Sequence, residues 1–417
     1  MPLPRPRWRF DSFSSLRHRN YRLLWLGNLV SNTGDWMDQI ALNWLVITIR
    51  GNPFDLALLN LFRATPILAF TLLGGAVADR MDRRRMLMMT QSIHMLTAFL
   101  LAFMVLGGHA PLWAVLAIAA VRGINIAFNL PARHSLVPLL VPPEAVPNAV
   151  ALNSMTINLT KVIGPAIAGV LIAGFGTGIC FLLNALSFLV VLWTLALLRF
   201  DLLPARERAR IPLHRSIAEG LRHTAGDRVL LLLVLLSLVP TFFGQPYLAL
   251  LSLFAHDVYD IGADGLGVLT AVASVGSITG AFLLASMPRW AASTRVMVIF
   301  LMLLGLSLAA FALTPAFAPA LPLLFCVGAM NIACNAANNT QIQLRAPDHM
   351  RGRVMSIMLM NRGVAQIGVA AWAALAGFVG VQAALASSGA VIAVIGVVFL
   401  LFSRLGQAEP VTRDSLP

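Results

Sequence analysis

Residues 75–85 read Gly75-Ala76-Val77-Ala78-Asp79-Arg80-Met81-Asp82-Arg83-Arg84-Arg85. Apolar runs at 54–78 and 86–107 flank this charged turn, and each is long enough to cross a bilayer, which takes roughly 20 residues. A turn this short and this charged joins two membrane helices at a water-facing surface. Gly75 permits close helix approach. Asp79 would meet the partial positive charge of a helix N-terminus, with the eleventh apolar run as its candidate. Arg80, Arg83 and Arg84 can then pair with acids or carbonyls across an interface.

The rest of the chain agrees with that reading. Of 417 residues, 59% are hydrophobic and 11% are charged, and the mean hydropathy is +0.82. Soluble domains carry roughly 45–50% apolar and about 25% charged residues. Twelve runs are apolar enough to span: 23–49, 54–78, 86–107, 111–132, 148–174, 178–199, 229–254, 265–287, 295–314, 319–344, 354–378 and 382–403. Little chain is left over for an appended catalytic domain, so no enzyme is expected. The first run contains Asp35 and Asp38 and is too long for a signal peptide, so it reads as a retained helix.

The basic residues sort by side. Six arginines lie in the tail 1–22, four in the 80–85 loop, one at Arg133, seven between Arg199 and Arg228, and seven in later segments of the same side. Arg50 stands alone on the other side. By the positive-inside rule both termini and the linker 200–228 are expected in the cytoplasm, which makes this a multi-pass protein of a bacterial inner membrane. The net charge of +13 then reflects topology, and no nucleic-acid partner is expected. The linker divides the chain into helical bundles at 23–199 and 229–403, followed by a cytoplasmic tail at 404–417. A repeat supports the division: Asn125-Ile126-Ala127-Phe128-Asn129 recurs as Asn331-Ile332-Ala333-Cys334-Asn335, and Gly164 recurs as Gly368. Cys180, Cys326 and Cys334 form no metal-ligand or redox pattern and read as small core residues.

The 75–85 stretch resembles the G-x-x-x-D-R-x-x-R-R signature between helices two and three of the major facilitator superfamily. Within it, Arg19-Asn20-Tyr21-Arg22-Leu23-Leu24-Trp25 and Gly34-Asp35-Trp36 are similar to the branch of the enterobactin exporter and macrolide efflux proteins. The resemblance implies an all-α membrane fold of twelve helices in two pseudo-symmetric six-helix bundles, with alternating access driven by an ion gradient, usually protons. It implies that Asp79 latches the cytoplasmic side. In the second half the corresponding loop, Ser286-Met287-Pro288-Arg289, has lost most of the pattern. Helix five carries Gly164-Pro165-Ala166-Ile167-Ala168-Gly169, which resembles the G-P-x-x-G-G motif of family antiporters with Ala168 in place of one glycine. Gly164, Pro165 and Gly169 form either a hinge or a plain packing kink.

Charges inside spans carry the most information, because each costs roughly 2.5–3.5 kcal/mol at mid-bilayer. At about 1.5 Å per residue, Asp38 and Arg63 lie at roughly equal depth on helices one and two and are expected to pair. Asp35 sits one turn away, near the level of Arg122 and Lys161. Arg122 also matches a family arginine linked to proton coupling, so Asp35, Asp38, Arg63 and Arg122 form the expected coupling group. Asp35 is the expected titrating site.

Lys161, Asn158, Asn335, Asn339, Arg362 and Gln366 are the expected substrate contacts, although each amide serves equally well as interhelical glue. Nothing resembling a phosphate loop, catalytic triad or metal site is present, and no cofactor is expected. The expected activity is proton-coupled export, by a monomer in the lipid bilayer, of a small amphipathic molecule such as a drug-like compound or siderophore. A proton symporter importing an anionic solute, a lysophospholipid flippase and a non-transporting scaffold or sensor are the alternatives.

Overall fold

The computed structural model describes residues 13–198, 226–287, 293–345 and 348–402. Most of the linker, the tail from 404 and residues 1–12 lie outside the described residues. The first half folds as α1 (Arg19–Arg50), α2 (Pro53–Arg80), α3 (Arg83–Leu106), α4 (Leu112–Leu136), α5 (Val146–Phe175) and α6 (Thr177–Leu197). The second half folds as α7 (Arg228–Val239), α8 (Tyr247–Leu253), α9 (Gly262–Ser286), α10 (Thr294–Leu313), α11 (Phe317–Arg345), α12 (Asp348–Val379) and α13 (Val381–Phe402). With α7 and α8 counted as one broken span, this is the twelve-helix architecture. Ten apolar stretches among the described residues are long enough to cross a membrane, with a shorter one at Gly363–Val379. The polar helix α1 falls outside that set, because its length is spent on Asn, Asp and Gly. Phe103, Phe282, Phe378 and Leu401 are more than 70% exposed, which suits a lipid-facing surface.

Caps set several boundaries. Asn52 Oδ1 accepts from Phe54 N (2.9 Å) ahead of Pro53, and Asp82 Oδ1 accepts from Arg85 N (2.8 Å). Asp82 therefore acts as the N-cap of α3. At the end of the molecule that holds Gly51, five connections turn at glycines with φ between 63° and 84°. This is called the far end below, and the end holding residues 80–83 is the near end.

Three expectations need correction. The run at 229–254 is not one continuous helix: wide turns at Pro240–Gly244 and Phe254–Val258 interrupt it. Pro240 and Pro246 each lack the N–H that an uninterrupted helix requires. Arg133 is not in a loop, because α4 continues past Pro131 to Leu136. Of the three cysteines, Cys180 and Cys334 are buried but Cys326 is exposed. Within the expected tail 1–22, a short helical turn forms at Ser14–Arg17 and α1 begins at Arg19. Ser15 Oγ donates to Ala145 O (3.1 Å) and Tyr21 Oη to Ala149 O (2.7 Å), which fastens the chain start to the near end of α5.

Within the first half α2 packs on α4, and α6 packs on α1 and α3; within the second, α9 packs on α11 and α10 on α13. A similar glycine contact occurs in each half. Gly74 of α2 lies against the Ala127 carbonyl of α4, and Gly280 of α9 lies against the Ala329 carbonyl of α11. The halves meet through α5 on α9 and α2 on α12. These cross-contacts lie from mid-span to the far end: Gly169 backs onto Gly267, Thr270 Oγ1 donates to Pro165 O (3.3 Å), and the Phe54 and Phe378 rings stand 5.0 Å apart.

Candidate functional site

The spacing of polar residues on α1 puts Asn28, Asn32, Asp35 and Asp38 near one face, three or four residues apart. Arg122, Asn125, Asn129 and Arg133 repeat that spacing on α4, and Thr90, His94 and Thr97 do so on α3. The three faces converge. Arg122 Nη1 donates to Asp38 Oδ2 at 2.5 Å, and Arg122 Nε donates to Thr97 Oγ1 (3.2 Å). Asp38 and Arg122 are only 5% and 7% exposed. Asp38 Oδ1 and Arg122 Nη2 are also buried, and neither has a hydrogen-bond partner among the described residues. The pair is therefore single-bonded and holds one unmet acceptor and one unmet donor.

This corrects the expected pairing of Asp38 with Arg63. The α2 helix presents the Arg63 carbonyl to Gly123 of α4, while the Arg122 side chain is the one that reaches α1. Asp35 is half-buried and carries no hydrogen bond or ion pair among the described residues. The charges acting on it are those of Arg133, Asp38, Arg122 and Arg63.

Toward the near end, Arg133 donates to Asn32 Oδ1 (2.7 Å, Nη1) and Asn28 Oδ1 (2.6 Å, Nη2). Asn125 Nδ2 donates to Thr90 O (2.7 Å) and contacts His94 Nδ1, and Asn129 Nδ2 donates to Thr90 Oγ1 (2.8 Å). Arg133, Thr90, Thr97, Asn28 and Asn32 were not among the expected site residues. Their shared spacing was available in the sequence as a signal.

Beside this network, Lys161 of α5 places Nζ 5.7 Å from the centre of the Trp36 ring on α1. Lys161 also lines a cavity of about 300 Å³ between α5, the broken α7–α8 span, α9 and α11. The polar wall comprises Lys161, Gln245, Tyr247, Ser274, Ser277 and Asn331, and Met155, Leu159, Leu248 and Ile278 supply much of the apolar wall. The Gly169–Gly267 contact lies on its far side, and the lining residues Met155 and Ala281 extend it toward the near end.

The other expected contacts divide. Asn335 lies outside the cavity wall, and its Nδ2 donates to Asn331 O (2.8 Å) and Asn331 Oδ1 (3.3 Å). Asn339 is exposed and likewise outside the wall, while Gln366 keeps its Oε1 buried without a partner. The side chains of Asn158 and Arg362 lie outside the described residues.

At the near-end loop, the side chains of the expected latch residues Asp79 and Arg80 also lie outside the described residues. Gly75 is buried, although the close approach to α4 falls to its neighbour Gly74. Arg83 is half-buried with its Nε unpartnered. Arg84 Nη2 donates to Ala196 O at 2.7 Å and Arg19 Nη1 to Leu197 O at 3.3 Å, so two cations meet the carbonyl end of α6. In helix five, Gly164 sits against Trp36 and Thr33 of α1 while Gly169 faces the opposite half, so the two glycines serve different packing contacts around Pro165.

Known proteins share this framework. Over 80% of its length the chain is 28% identical to the staphyloferrin A transporter of Staphylococcus aureus, covering 84% of that protein. It is 26% identical to the multidrug efflux pump Tap of Mycolicibacterium fortuitum, over 93% of this chain and 96% of Tap. Macrolide efflux protein A of Streptococcus pyogenes is 22% identical over 72% of this chain and 75% of that one. Among solved structures, an inward-facing bacterial homologue of the human lysosomal transporter Spinster superposes with a TM-score of 0.71 at 17% identity, covering 91% of this chain and 96% of the other. The sequence model of the transmembrane secretion effector family matches residues 10–416. The chain is a multi-pass membrane transporter, not an enzyme, and it belongs to the transmembrane secretion effector family of the major facilitator superfamily.

Proposed function

We propose that this transporter exports a small amphipathic molecule from the cytoplasm in exchange for protons. The observation that carries the reading is the buried Asp38–Arg122 pair, one helical turn from an Asp35 that has no bonded partner among the described residues. An isolated carboxylate in a low-dielectric site is costly when ionised, and a neighbouring cation offsets that cost only in part. Asp35 is therefore the proton site, and Asp38 is the carboxylate that stays paired with Arg122. Proton uptake at Asp35 weakens its attraction to the surrounding guanidinium groups, which frees α1 to move against α4. Trp36 follows Asp35 in the chain and underlies Lys161 on the cavity wall, so a shift of α1 reaches the cavity directly.

The basic residues of the near end support a cytoplasmic location for that end, both termini and the linker, with bundles at 23–199 and 229–403. In that orientation the far-end seal is periplasmic and the cavity faces inward. Asp79, Arg80, Arg83 and Arg84 would form the cytoplasmic latch, and Gly164, Pro165 and Gly169 the segment that flexes as the halves rock. Efflux relatives support the outward direction, and a bacterial inner membrane and a monomeric state are part of the same reading. The test is a substrate screen in inside-out vesicles with an imposed pH gradient. Uptake that collapses with the gradient supports the proposal, and uptake indifferent to it refutes proton coupling.

A further inference from the structure

We infer that the cavity between α5, α7–α8, α9 and α11 takes an uncharged ligand that presents a carbonyl or hydroxyl oxygen to Tyr247 and Ser274 and an apolar body to α5. The inference rests on the transporter reading for its setting, and its support is a pair of buried hydroxyls that the fold leaves unused. The chain has three tyrosines. Tyr21 Oη donates to Ala149 O (2.7 Å) and Tyr259 Oη to Thr314 O (3.1 Å), as a phenol taken out of water ordinarily does. Tyr247 lines the cavity and is 6% exposed, yet its hydroxyl has no hydrogen-bond partner among the described residues. The oxygen is not sealed in protein either, so the surface it keeps opens on the cavity that the residue lines.

Ser274 of α9 repeats the pattern. Four of the five hydroxyl side chains of α9 donate to a carbonyl of their own helix: Thr270 to Leu266 O (2.9 Å), Ser277 to Ala273 O (3.0 Å), Thr279 to Val275 O (2.9 Å) and Ser286 to Leu283 O (2.7 Å). Ser274 makes no such bond, although it is 6% exposed and stands on the cavity wall. Gln245 adds a half-buried amide to the same wall, with no side-chain partner among the described residues. The break in the seventh span explains how Gln245 and Tyr247 share a wall, since an unbroken helix turns residues two apart by roughly 200°. A buried hydroxyl without a partner is costly, and a ligand oxygen satisfies it. Hydroxyls and amides both donate and accept, so the three groups match a neutral carbonyl or hydroxyl. Among the described residues no carboxylate lines the cavity, so a ligand cation finds no counter-charge there. The Lys161 ammonium is already engaged, over the Trp36 ring at 5.7 Å, and three neutral groups do not replace the hydration of an anion. Met155, Leu159 and Ile278 cover the body of the ligand, for which about 300 Å³ admits a bicyclic ring system.

The test is saturable binding to purified full-length protein in nanodiscs, corrected for empty nanodiscs. The probes are prodan, an uncharged naphthyl ketone, its analogue with propyl in place of the ketone, and the corresponding naphthoate. Wild type should bind prodan about tenfold more tightly than the propyl analogue, the scale of two neutral hydrogen bonds, and the naphthoate more weakly than prodan. Tyr247→Phe and Ser274→Ala each remove one oxygen and keep the rest of the side chain. Each should weaken prodan binding about threefold or more and leave the propyl analogue within about twofold of wild type, which also shows that the variants fold. Wild type that binds prodan no better than the propyl analogue, or binds the naphthoate more tightly, would overturn the inference whether or not the variants fold. Unchanged prodan affinity in both folded variants would overturn it too. Because binding is read without transport, ketone selectivity that depends on Tyr247 and Ser274, with no proton-driven flux, would refute the transport mechanism and leave this inference standing.

Discussion

Removing both members of the Asp38–Arg122 pair should destabilise the protein no more than removing either one alone. The magnitude follows from the geometry. The two groups share one hydrogen bond of 2.5 Å and are 5% and 7% exposed, so each is the main compensation for the other. In Asp38→Asn the guanidinium keeps Thr97 and the amide oxygen but loses its counter-charge, and Nη2 is already unpartnered. A lone charge at such depth costs about 2.5–3.5 kcal/mol on the insertion scale, and breaking a buried pair costs about 3–5 kcal/mol. The asparagine returns part of this as a neutral hydrogen bond, so each single variant should lose about 2–3 kcal/mol. Asp38→Asn with Arg122→Gln buries no charge and should lose no more than either single variant, a coupling energy of about 2–3 kcal/mol. Equilibrium unfolding of the four purified proteins in mixed micelles measures this cycle. The double variant should fold but fail in proton-driven transport. Losses that simply add, or single variants as stable as wild type, would refute the account of the pair.

Three further outcomes follow from other contacts. Gly169→Leu places a side chain where Gly267 now packs, so the far-end seal should fail to close. A cysteine at Ser274, in a background lacking Cys180, Cys326 and Cys334, should then label from the Gly51 side, and unchanged labelling would contradict the seal. Arg84→Gln removes a 2.7 Å bond to the carbonyl end of α6 and should lower stability by about 0.3–1 kcal/mol, measured by the same unfolding assay. A loss well above that range would mean that Arg84 does more than cap a helix. Cysteines at Arg206 and Arg413 should resist impermeant thiol reagents in intact cells, and labelling of either from outside would overturn the proposed orientation.

Much of the fold was legible because hydropathy reports burial in lipid directly. The runs 178–199 and 382–403 differ from α6 and α13 by at most two residues at either end. The broken seventh span was not read because its composition stays apolar throughout. The signal lay in the spacing of Pro240, Gly244 and Pro246, and proline is tolerated in other spans of this chain at Pro66, Pro131, Pro165 and Pro322. Arg133 was read as a loop residue because the apolar run 111–132 stops just before it, yet α4 continues through Pro131 to Leu136. The members Asp35, Asp38 and Arg122 were found, but the pairing was not. Sequence gives depth at 1.5 Å per residue, whereas the direction in which a long guanidinium leaves its helix depends on which neighbours pack there. Asn331 was weighed only as one half of a repeat. Its first-half counterpart Asn125 is satisfied by Thr90, and nothing in the sequence says that the second copy lacks an equivalent partner.

Proton release from the purified protein on substrate addition, followed at several pH values in wild type and in Asp35→Asn, tests proton coupling at α1 most directly. Wild type should release protons as substrate binds, and Asp35→Asn should release none while still binding substrate. Release from Asp35→Asn equal to that of wild type would contradict the assignment and leave the carboxylates of α1 with a structural role alone.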